Sequence, residues 1–264
     1  MKNKLLYKAA CLLMLMVFAT SCQEEELNLD NPNALTTEQF WKTEEDAHKG
    51  VNSVYAMFYK DGSFQRWMYF RLDLTSDEGF STSPWIELAD WTRFQYINYN
   101  FWEGNVVTWR DSYKAIFRAN QVLAYVPEIE FQNEQEKNQL LAQAKFLRAL
   151  HYYYAALLWE DIPLVLEPSK PGDLPQQVSV EEVFAQVEKD LNEAFVDLPL
   201  TWGGDDVGRP TKGAVKAMLA KTYMQQHKWT DAKDALDYLV IGEGAIYDLV
   251  DNFEDNFTHV NENN

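Results

Sequence analysis

Residues 134–159 constrain the fold of this chain more than any other stretch, because they predict one long helix with an unusually broad apolar face. Leu140, Leu147, Tyr154 and Leu158 are among the apolar residues that recur here near a 3.6-residue period. A helix that is apolar on so much of its circumference is buried on most sides. We therefore expect other helices to surround it.

Five further helices are predicted by the same periodicity, helped by local start and stop signals. Ser179 begins the capping-box sequence SVEE. In such a box the Ser179 hydroxyl accepts from a first-turn amide, and the Glu182 side chain reaches back to the Ser179 amide. Pro127 and Pro199 end two of the helices. The predicted ranges are about 36–58, 109–126, 179–198, 211–226 and 229–240.

The last two predicted helices resemble a tetratricopeptide pair. The spacing A-x-L-A-x2-Y at residues 217–223 is followed by W-x2-A-x2-A at residues 229–235. Alanines that alternate with larger residues allow paired helices to approach closely. The predicted fold class is therefore all-α, built from tetratricopeptide-like helical repeats.

Residues 63–106 form an exception between the first two predicted helices. They show no sustained helical period, contain many strand-favouring aromatic residues, and are interrupted by Gly79, Pro84 and Gly104. A long irregular connection in a helical domain is usually functional or disordered, and this density of aromatic residues argues against disorder. We expect a long, aromatic-rich, irregular insertion that carries function.

The first 21 residues have the layout of a secretory signal peptide. Three lysines among the first eight residues precede thirteen uncharged residues, which end in the small residues 19–21. This apolar run is shorter than the roughly 20 residues that span a bilayer. Cys22 follows directly, as in a bacterial lipoprotein signal, so Cys22 is predicted to carry acyl chains that anchor the mature chain. An ordinary signal peptide with an incidental cysteine is the alternative.

The remainder divides into an acidic tether at residues 22–35 and a helical domain at residues 36–264. Three glutamates follow Cys22 and resemble the acidic tag of surface-exposed lipoproteins in Bacteroidetes-type bacteria, although plain solvation also favours them. Residues 1–21 hold three lysines and no acidic residue, so their removal leaves 20 basic and 41 acidic residues and a charge near −21. Because phosphate binding needs a basic face, no nucleic-acid partner is expected.

Motifs of known catalytic sites are missing from the sequence. It contains no G-x-S-x-G elbow, phosphate-binding loop or H-E-x-x-H motif, and its four histidines lack ligand spacing. His151 is predicted to be a hydrogen-bonded core residue. The best catalytic candidate is the trio Asp73, Asp77 and Glu78, because a glycosidase needs two carboxylates about 5–10 Å apart. A chain with 41 acidic residues contains such clusters by chance, so no enzyme, cofactor or metal site is predicted.

Aromatic binding of sugars is better supported by the sequence. Sugar C–H faces pack on Trp and Tyr rings, while sugar hydroxyls need nearby polar groups to replace lost water. Residues 80–102 supply both kinds of group. The alternative for each ring is a place in the domain's own core, which is our interpretation of Trp109 and Trp159. The candidate platforms are Trp85, Trp91, Tyr96 and Trp102, and the candidate hydrogen-bonding residues are Asp90, Arg93, Gln95 and Asn98.

Four stretches, together with the lipoprotein leader, resemble the amino-terminal part of SusD/RagB outer-membrane lipoproteins. They cover nearly all of the chain, and the last two are long and specific. Arg148 lies in the third stretch, within the predicted buried helix, and needs an internal acidic or carbonyl partner. The stretches are LTTEQFWKTEEDAHKGVNSVYAMF at 35–58, W-x3-Y-x2-I-x2-A-N at 109–120, AQAKFLRALHYYYAALLWEDIPLVLEP at 142–168 and GRPTKGAVKAMLAKTYMQQHKW at 208–229.

The resemblance implies a tetratricopeptide-based lipoprotein on the cell-surface leaflet of the outer membrane. Such a protein sits as a lid over a SusC-like TonB-dependent transporter, captures glycan oligomers or other nutrients, and passes them into the barrel. Members of this family bind glycans with an aromatic arc, part of it in the loop region that corresponds to residues 80–102. They are about twice as long as this chain, so the family's carboxy-terminal half and its share of the binding site are expected to be absent here.

Two alternatives remain beside a non-catalytic, nutrient-binding lipoprotein. The first is a helical-repeat scaffold whose only ligand is the transporter protein, in which replacing Trp85 and Trp91 by alanine would leave retardation in a carbohydrate affinity gel unchanged. The second is a glycosidase, which would release reducing ends from a polysaccharide and lose that activity when Asp73 or Asp77 is changed.

Overall fold

The computed structural model describes residues 37–84, 86–95 and 103–258. The predicted leader, its Cys22 and the tether lie outside these residues and remain predictions. Within the described residues, no helix combines the length and the apolar character that crossing a bilayer requires. What the structure shows is therefore most of the predicted helical domain.

Contacts between residues divide the chain into two compact units, Met1–Lys42 and Thr43–Asn264. In the first unit, the described residues form the short helix α1 (Thr37–Phe40). The rings of Phe40 and Trp41 meet edge to face there, with their centroids 4.8 Å apart. All other elements belong to the second unit.

The described part of the second unit is mainly helical, as predicted. One short pair of antiparallel strands, β1 (Ile162–Pro163) and β2 (Gln177–Val178), places Ile162 opposite Val178. The helices are α2 (Glu44–Tyr55), α3 (Trp67–Leu74), α4 (Ile86–Arg93), α5 (Glu103–Tyr125), α6 (Glu134–Trp159), α7 (Val180–Asp197), α8 (Lys212–Gln225) and α9 (Trp229–Val240). Turns of 3₁₀ helix cover Ala56–Tyr59, Val126–Glu128, Gly204–Asp206 and Phe253–Phe257.

The helix predicted over residues 36–58 is interrupted, because a capping box starts α2 within it. Thr43 has an extended backbone (φ −128°), and its hydroxyl accepts from the Asp46 amide at 3.2 Å. In return, the Thr43 amide donates to the Asp46 carboxylate at 3.0 Å. These bonds satisfy amide groups that have no partner at a helix start, so a new helix begins here. The sequence TEED contained this signal.

The long helix α6 has the predicted bounds and the predicted central position. It packs against α2, α5, α7 and α8. Burial extends over successive turns: Leu140, Ala144, Leu147 and Tyr152 are each at most 2% exposed. The broad apolar face is therefore covered on several sides, which confirms the expectation drawn from its sequence.

Arg148 of α6 has internal partners of both kinds that the sequence prediction left open, an acidic side chain and a carbonyl group. Its Nε and Nη2 atoms donate to the two carboxylate oxygens of Asp190 on α7, at 2.8 and 2.7 Å. Its Nη1 atom donates to the side-chain oxygen of Asn120 on α5 at 2.8 Å and to the Leu166 carbonyl at 3.3 Å. One buried guanidinium thus joins three helices to the chain that follows α6.

The pair α8 and α9 forms the predicted tetratricopeptide-like hairpin. The two helices pack on each other, and α8 also packs on α7. Ala232 and Ala235 of α9 are each 3% exposed, while Val215 and Leu219 of α8 are at most 1% exposed. Small side chains on α9 therefore face larger ones on α8, which permits close approach.

The aromatic-rich insertion is more helical than its sequence pattern indicates, since it contains α3 and α4 between irregular stretches. Both helices are eight residues long. Isolated helices of that length are not stable in water, so contacts with the rest of the domain must hold them. Those contacts join residues far apart in the sequence, and this is why local periodicity did not reveal the helices.

Candidate functional site

The inner side of α4 is anchored in a small apolar cluster. Leu88 is 8% exposed and Trp91 is 1% exposed, and both pack with Trp67 of α3 and Val107 of α5. The Trp67 and Trp91 rings meet edge to face, with centroids 5.9 Å apart. Trp91, which the sequence placed among the stacking platforms, therefore has its ring faces covered. Its observed position is that of an anchor for the segment.

A second set of contacts ties α3 to the main helices. The Arg71 guanidinium donates to the side-chain oxygen of Asn105 on α5, and it lies 5.1 Å from the ring centroid of Trp159 on α6. Further along the chain, position 79 requires glycine, because a Cβ atom there would lie only 1.8 Å from the carbonyl oxygen of Asp73. The segment that leads to α4 is thus held in place.

Phe94 occupies the end of α4 in a conformation usually given to glycine. Its φ is +53°, in the left-handed region. The Phe94 amide donates to the Trp91 carbonyl at 3.1 Å, and the Gln95 amide donates to the Asp90 carbonyl at 2.9 Å, which is the Schellman arrangement. The side chain is 62% exposed. An exposed aromatic ring is therefore fixed at the end of an anchored helix, at a cost in backbone strain of about 1 kcal/mol.

The polar candidates Asp90 and Arg93 lie on the helix that Phe94 follows. They are three residues apart on α4 and so share one side of the helix. Arg93 is exposed and Asp90 is half-buried. Phe80, a second ring and not one of the residues predicted from the sequence, lies before α4 and is 68% exposed. Their exposure depends on tertiary contacts, so sequence patterns could not identify Phe80 and Phe94 as exposed rings of this segment.

Several predicted site residues lie outside the described part of the chain, and their roles remain predictions. In the sequence they precede and follow the residues of α4. These residues are Trp85, Tyr96, Asn98 and Trp102.

The acidic trio proposed for the glycosidase alternative lies in and after the last turn of α3. Asp73, Asp77 and Glu78 are all exposed. A hydrogen bond to Asp73 raises the pKa of the Tyr69 hydroxyl. Among the described residues, no group of three or more His, Cys, Asp and Glu side chains has a geometry suited to a metal ion.

His151 lies in the core, as predicted, but without the predicted hydrogen bond. It is fully buried, and its ring lies 5.8 Å from that of Phe58 and 6.0 Å from that of Phe64. Neither ring nitrogen has a hydrogen-bond partner in the part of the chain that the structure describes. Burial lowers the pKa of His151 from 6.5 to about 4, so the ring is neutral at pH 7.

Comparison with known families gives a match over three quarters of the chain. Residues 27–224 match the SusD-like family described as "Starch-binding associating with outer membrane". The matched region contains the aromatic-rich insertion and the buried pair of Arg148 and Asp190. The family resemblance therefore covers both the scaffold and the candidate site.

The chain spans no more than about half the length of the curated relatives that it matches. A SusD-like protein of Formosa agariphila is 26% identical over 260 residues, which cover 94% of this chain and 48% of that protein. A SusD-like protein of Bacteroides ovatus is 31% identical over 170 residues, which cover 59% of this chain and 30% of that protein. The starch-binding protein SusD of Bacteroides thetaiotaomicron is 27% identical over 143 residues, which cover 53% of this chain and 25% of that protein.

Solved structures share the fold. A laminarin-binding SusD-like protein superposes with a TM-score of 0.74 at 30% identity, covering 84% of this chain and 49% of that chain. A SusD superfamily protein from Bacteroides vulgatus gives a TM-score of 0.75 at 25% identity, covering 85% of this chain and 49% of that chain. From its helical fold, its matched residues and these relatives, we conclude that the chain belongs to the SusD-like family.

Proposed function

We propose that this chain binds an oligosaccharide or a similar nutrient through its aromatic-rich insertion and performs no catalysis. Support comes from two relatives whose names state a ligand, one starch-binding and one laminarin-binding. Starch and laminarin are both uncharged polymers of glucose. An uncharged ligand also suits a chain with a formal charge of −18.

The observation that carries the proposal is the ring of Phe94, exposed and held in the left-handed conformation at the end of α4. Strained residues persist where the surrounding structure holds them, and they cluster at ligand sites. A sugar ring can place its C–H face on the Phe94 ring, while Arg93 donates to its hydroxyl oxygens and Asp90 accepts from its hydroxyl hydrogens.

The anchored helix makes such a surface effective. Because Trp91 and Leu88 hold α4 against α3 and α5, the ligand does not have to order the helix when it binds. We include the rings of Trp85, Tyr96 and Trp102 in the same surface. Asn98 is included as a further hydrogen-bonding residue. Linear glycans present repeated sugar faces, so several rings along the insertion would each contact one sugar.

Exposure of the acidic trio supports a function without catalysis. A glycosidase encloses its two carboxylates around the scissile bond and protects its general acid from water. Asp73, Asp77 and Glu78 instead face solvent. We therefore assign these residues no part in chemistry.

For the cellular role, we propose that Cys22 carries a lipid anchor to the outer membrane and that a SusC-like TonB-dependent transporter receives the nutrient. The leader sequence and the family description support the membrane location. Delivery to a transporter is supported by the resemblance alone. Incorporation of labelled palmitate at Cys22, and its loss in Cys22→Ala, tests the anchor.

Replacing Phe94 by glycine is the sharpest test of the glycan surface. Glycine removes the ring but relieves the left-handed strain, so Phe94→Gly is expected to fold at least as stably as the native chain. Loss of one aromatic contact, about 0.5–1.5 kcal/mol, should weaken binding roughly 2- to 13-fold in affinity gels with starch or laminarin.

Phe94→Tyr is the matched control, because it retains the ring and should retain the affinity. Trp91→Ala does not serve this purpose, since opening a cavity in the cluster costs about 3–5 kcal/mol and confuses unfolding with lost binding. Equal retardation of the native chain and Phe94→Gly would contradict the proposal for this surface. If no glycan retarded either protein, the result would favour the scaffold alternative.

A further inference from the structure

A second cleft lies away from the aromatic-rich insertion, between the end of α2 and the loop before α8. It is open to solvent and has a volume of about 520 Å³, within the roughly 300–1,000 Å³ typical of small-molecule sites. We name it the Tyr59 cleft. One wall is formed by Asn52, Tyr55, Ala56, Phe58 and Tyr59, and the other by Val207, Gly208 and Arg209.

Tyr59 is the aromatic residue of this cleft that remains open. Tyr55 is covered by the Arg209 guanidinium, which lies 5.3 Å from its ring centroid. Phe58 stacks on His151 at 5.8 Å. Tyr59 is 79% exposed, and no other ring among the described residues packs against it. Its faces are therefore available to a ligand.

Arg209 brings hydrogen-bond donors to the same cleft. Its Nε atom donates to Asp206 at 2.6 Å, Nη1 donates to Gln143 at 2.8 Å and Nη2 donates to Asn52 at 3.2 Å. Arg209 also forms a side-chain hydrogen bond with the Tyr55 hydroxyl, so four of the five N–H groups of its guanidinium are engaged among the described residues and one remains for a ligand. Asp206 pairs with the charge, which favours a neutral acceptor such as a hydroxyl over an anion.

The opposite wall leaves room for a ligand. Gly208 has a φ of +99°, and a Cβ atom at this position would meet nothing within 4 Å. Val207 is 49% exposed. This wall is therefore a turn that borders open space and brings an apolar side chain and the Arg209 guanidinium to the cleft.

We propose that the Tyr59 cleft is a second binding site for a neutral oligosaccharide, in which a sugar ring stacks on Tyr59 and its hydroxyls accept from Arg209. The class of ligand rests on the proposed function, whereas the location does not. Two sites on one chain would let it hold a long glycan at two places, or two short glycans at once.

The test compares Tyr59→Ala with Tyr59→Phe by isothermal titration with oligosaccharides of starch and of laminarin. Tyr59→Ala should bind fewer ligands per chain than the native protein, or bind long oligosaccharides several-fold more weakly, while Tyr59→Phe keeps the ring and the affinity. Phe253→Ala is the control for losing an exposed ring, because Phe253 is 78% exposed and does not line the cleft. Circular dichroism verifies that every variant is folded.

The Phe94→Gly variant separates this proposal from the proposed function. If Tyr59→Ala binds with unchanged affinity and stoichiometry while Phe94→Gly binds more weakly, the cleft proposal is wrong and the glycan surface stands. If Tyr59→Ala alone loses binding, the cleft proposal stands and the Phe94 surface is wrong. If the native chain binds neither class of oligosaccharide, both are wrong.

Discussion

Replacing Asp190 by alanine is expected to destabilise this domain more than removal of any exposed carboxylate on α7. The Asp190 side chain is 1% exposed and the Arg148 side chain is 8% exposed. Asp190 accepts two hydrogen bonds from Arg148 and a third from Gln186 at 2.8 Å. In Asp190→Ala the Arg148 guanidinium would remain buried with only Asn120 and a carbonyl as acceptors.

The geometry sets the size of the effect. Two unit charges 2.7 Å apart attract each other by about 6 kcal/mol at an effective dielectric constant of about 20. The cost of removing both charges from water offsets much of that attraction in the native protein. In the variant that cost persists for Arg148 while the attraction is gone, so the free energy of unfolding should fall by about 3–5 kcal/mol. Domains are stable by roughly 5–15 kcal/mol, so the loss is large.

Urea denaturation followed by circular dichroism measures this difference. Glu193→Ala is the matched control, because Glu193 lies on the same helix and pairs with Lys145 of α6 at 2.8 Å, but with side chains 42% and 28% exposed. Its expected cost is below about 1 kcal/mol. If the two variants lose similar stability, the argument from burial is refuted.

Two further predictions concern stability. The first follows from the lowered pKa of His151, because as pH falls from 6.5 towards 4 the unfolded chain takes up a proton that the folded chain excludes. The free energy of unfolding should therefore fall by about 3 kcal/mol over that pH range. Urea titrations across this range should show a smaller loss in His151→Phe, and an equal loss in both proteins would contradict the assignment. Thr43→Ala should lower stability by about 1 kcal/mol by removing the cap of α2, whereas Thr43→Ser should retain it; equal melting temperatures would contradict this role.

The long helices could be predicted from the sequence because their signals are local. The bounds of α6 and α9 agree with the prediction, and α7 begins where Ser179 accepts from the Glu182 amide at 3.3 Å. The need for a partner at Arg148 also followed from the sequence, since a charge in an apolar helix must be paired. That the partner is Asp190 could not be predicted, because 42 residues separate the two.

The density of aromatic residues predicts a sugar-binding role for the insertion, and that role stays a prediction. The sequence could not show which residues of the insertion are exposed. Which rings face inward depends on contacts between α3, α4 and α5, so the sequence could not show that Trp91 is buried and Phe94 is exposed. The Tyr59 cleft has the same origin, because its walls are about 150 residues apart in the chain.

The sequence by itself determined that this chain folds as packed helices and where most of those helices begin and end, because apolar periodicity, caps and prolines act within a few residues. Only the tertiary structure decided which aromatic rings became core and which remained exposed. Burial depends on which residues distant in the sequence come to cover a ring, and no pattern within the insertion records that.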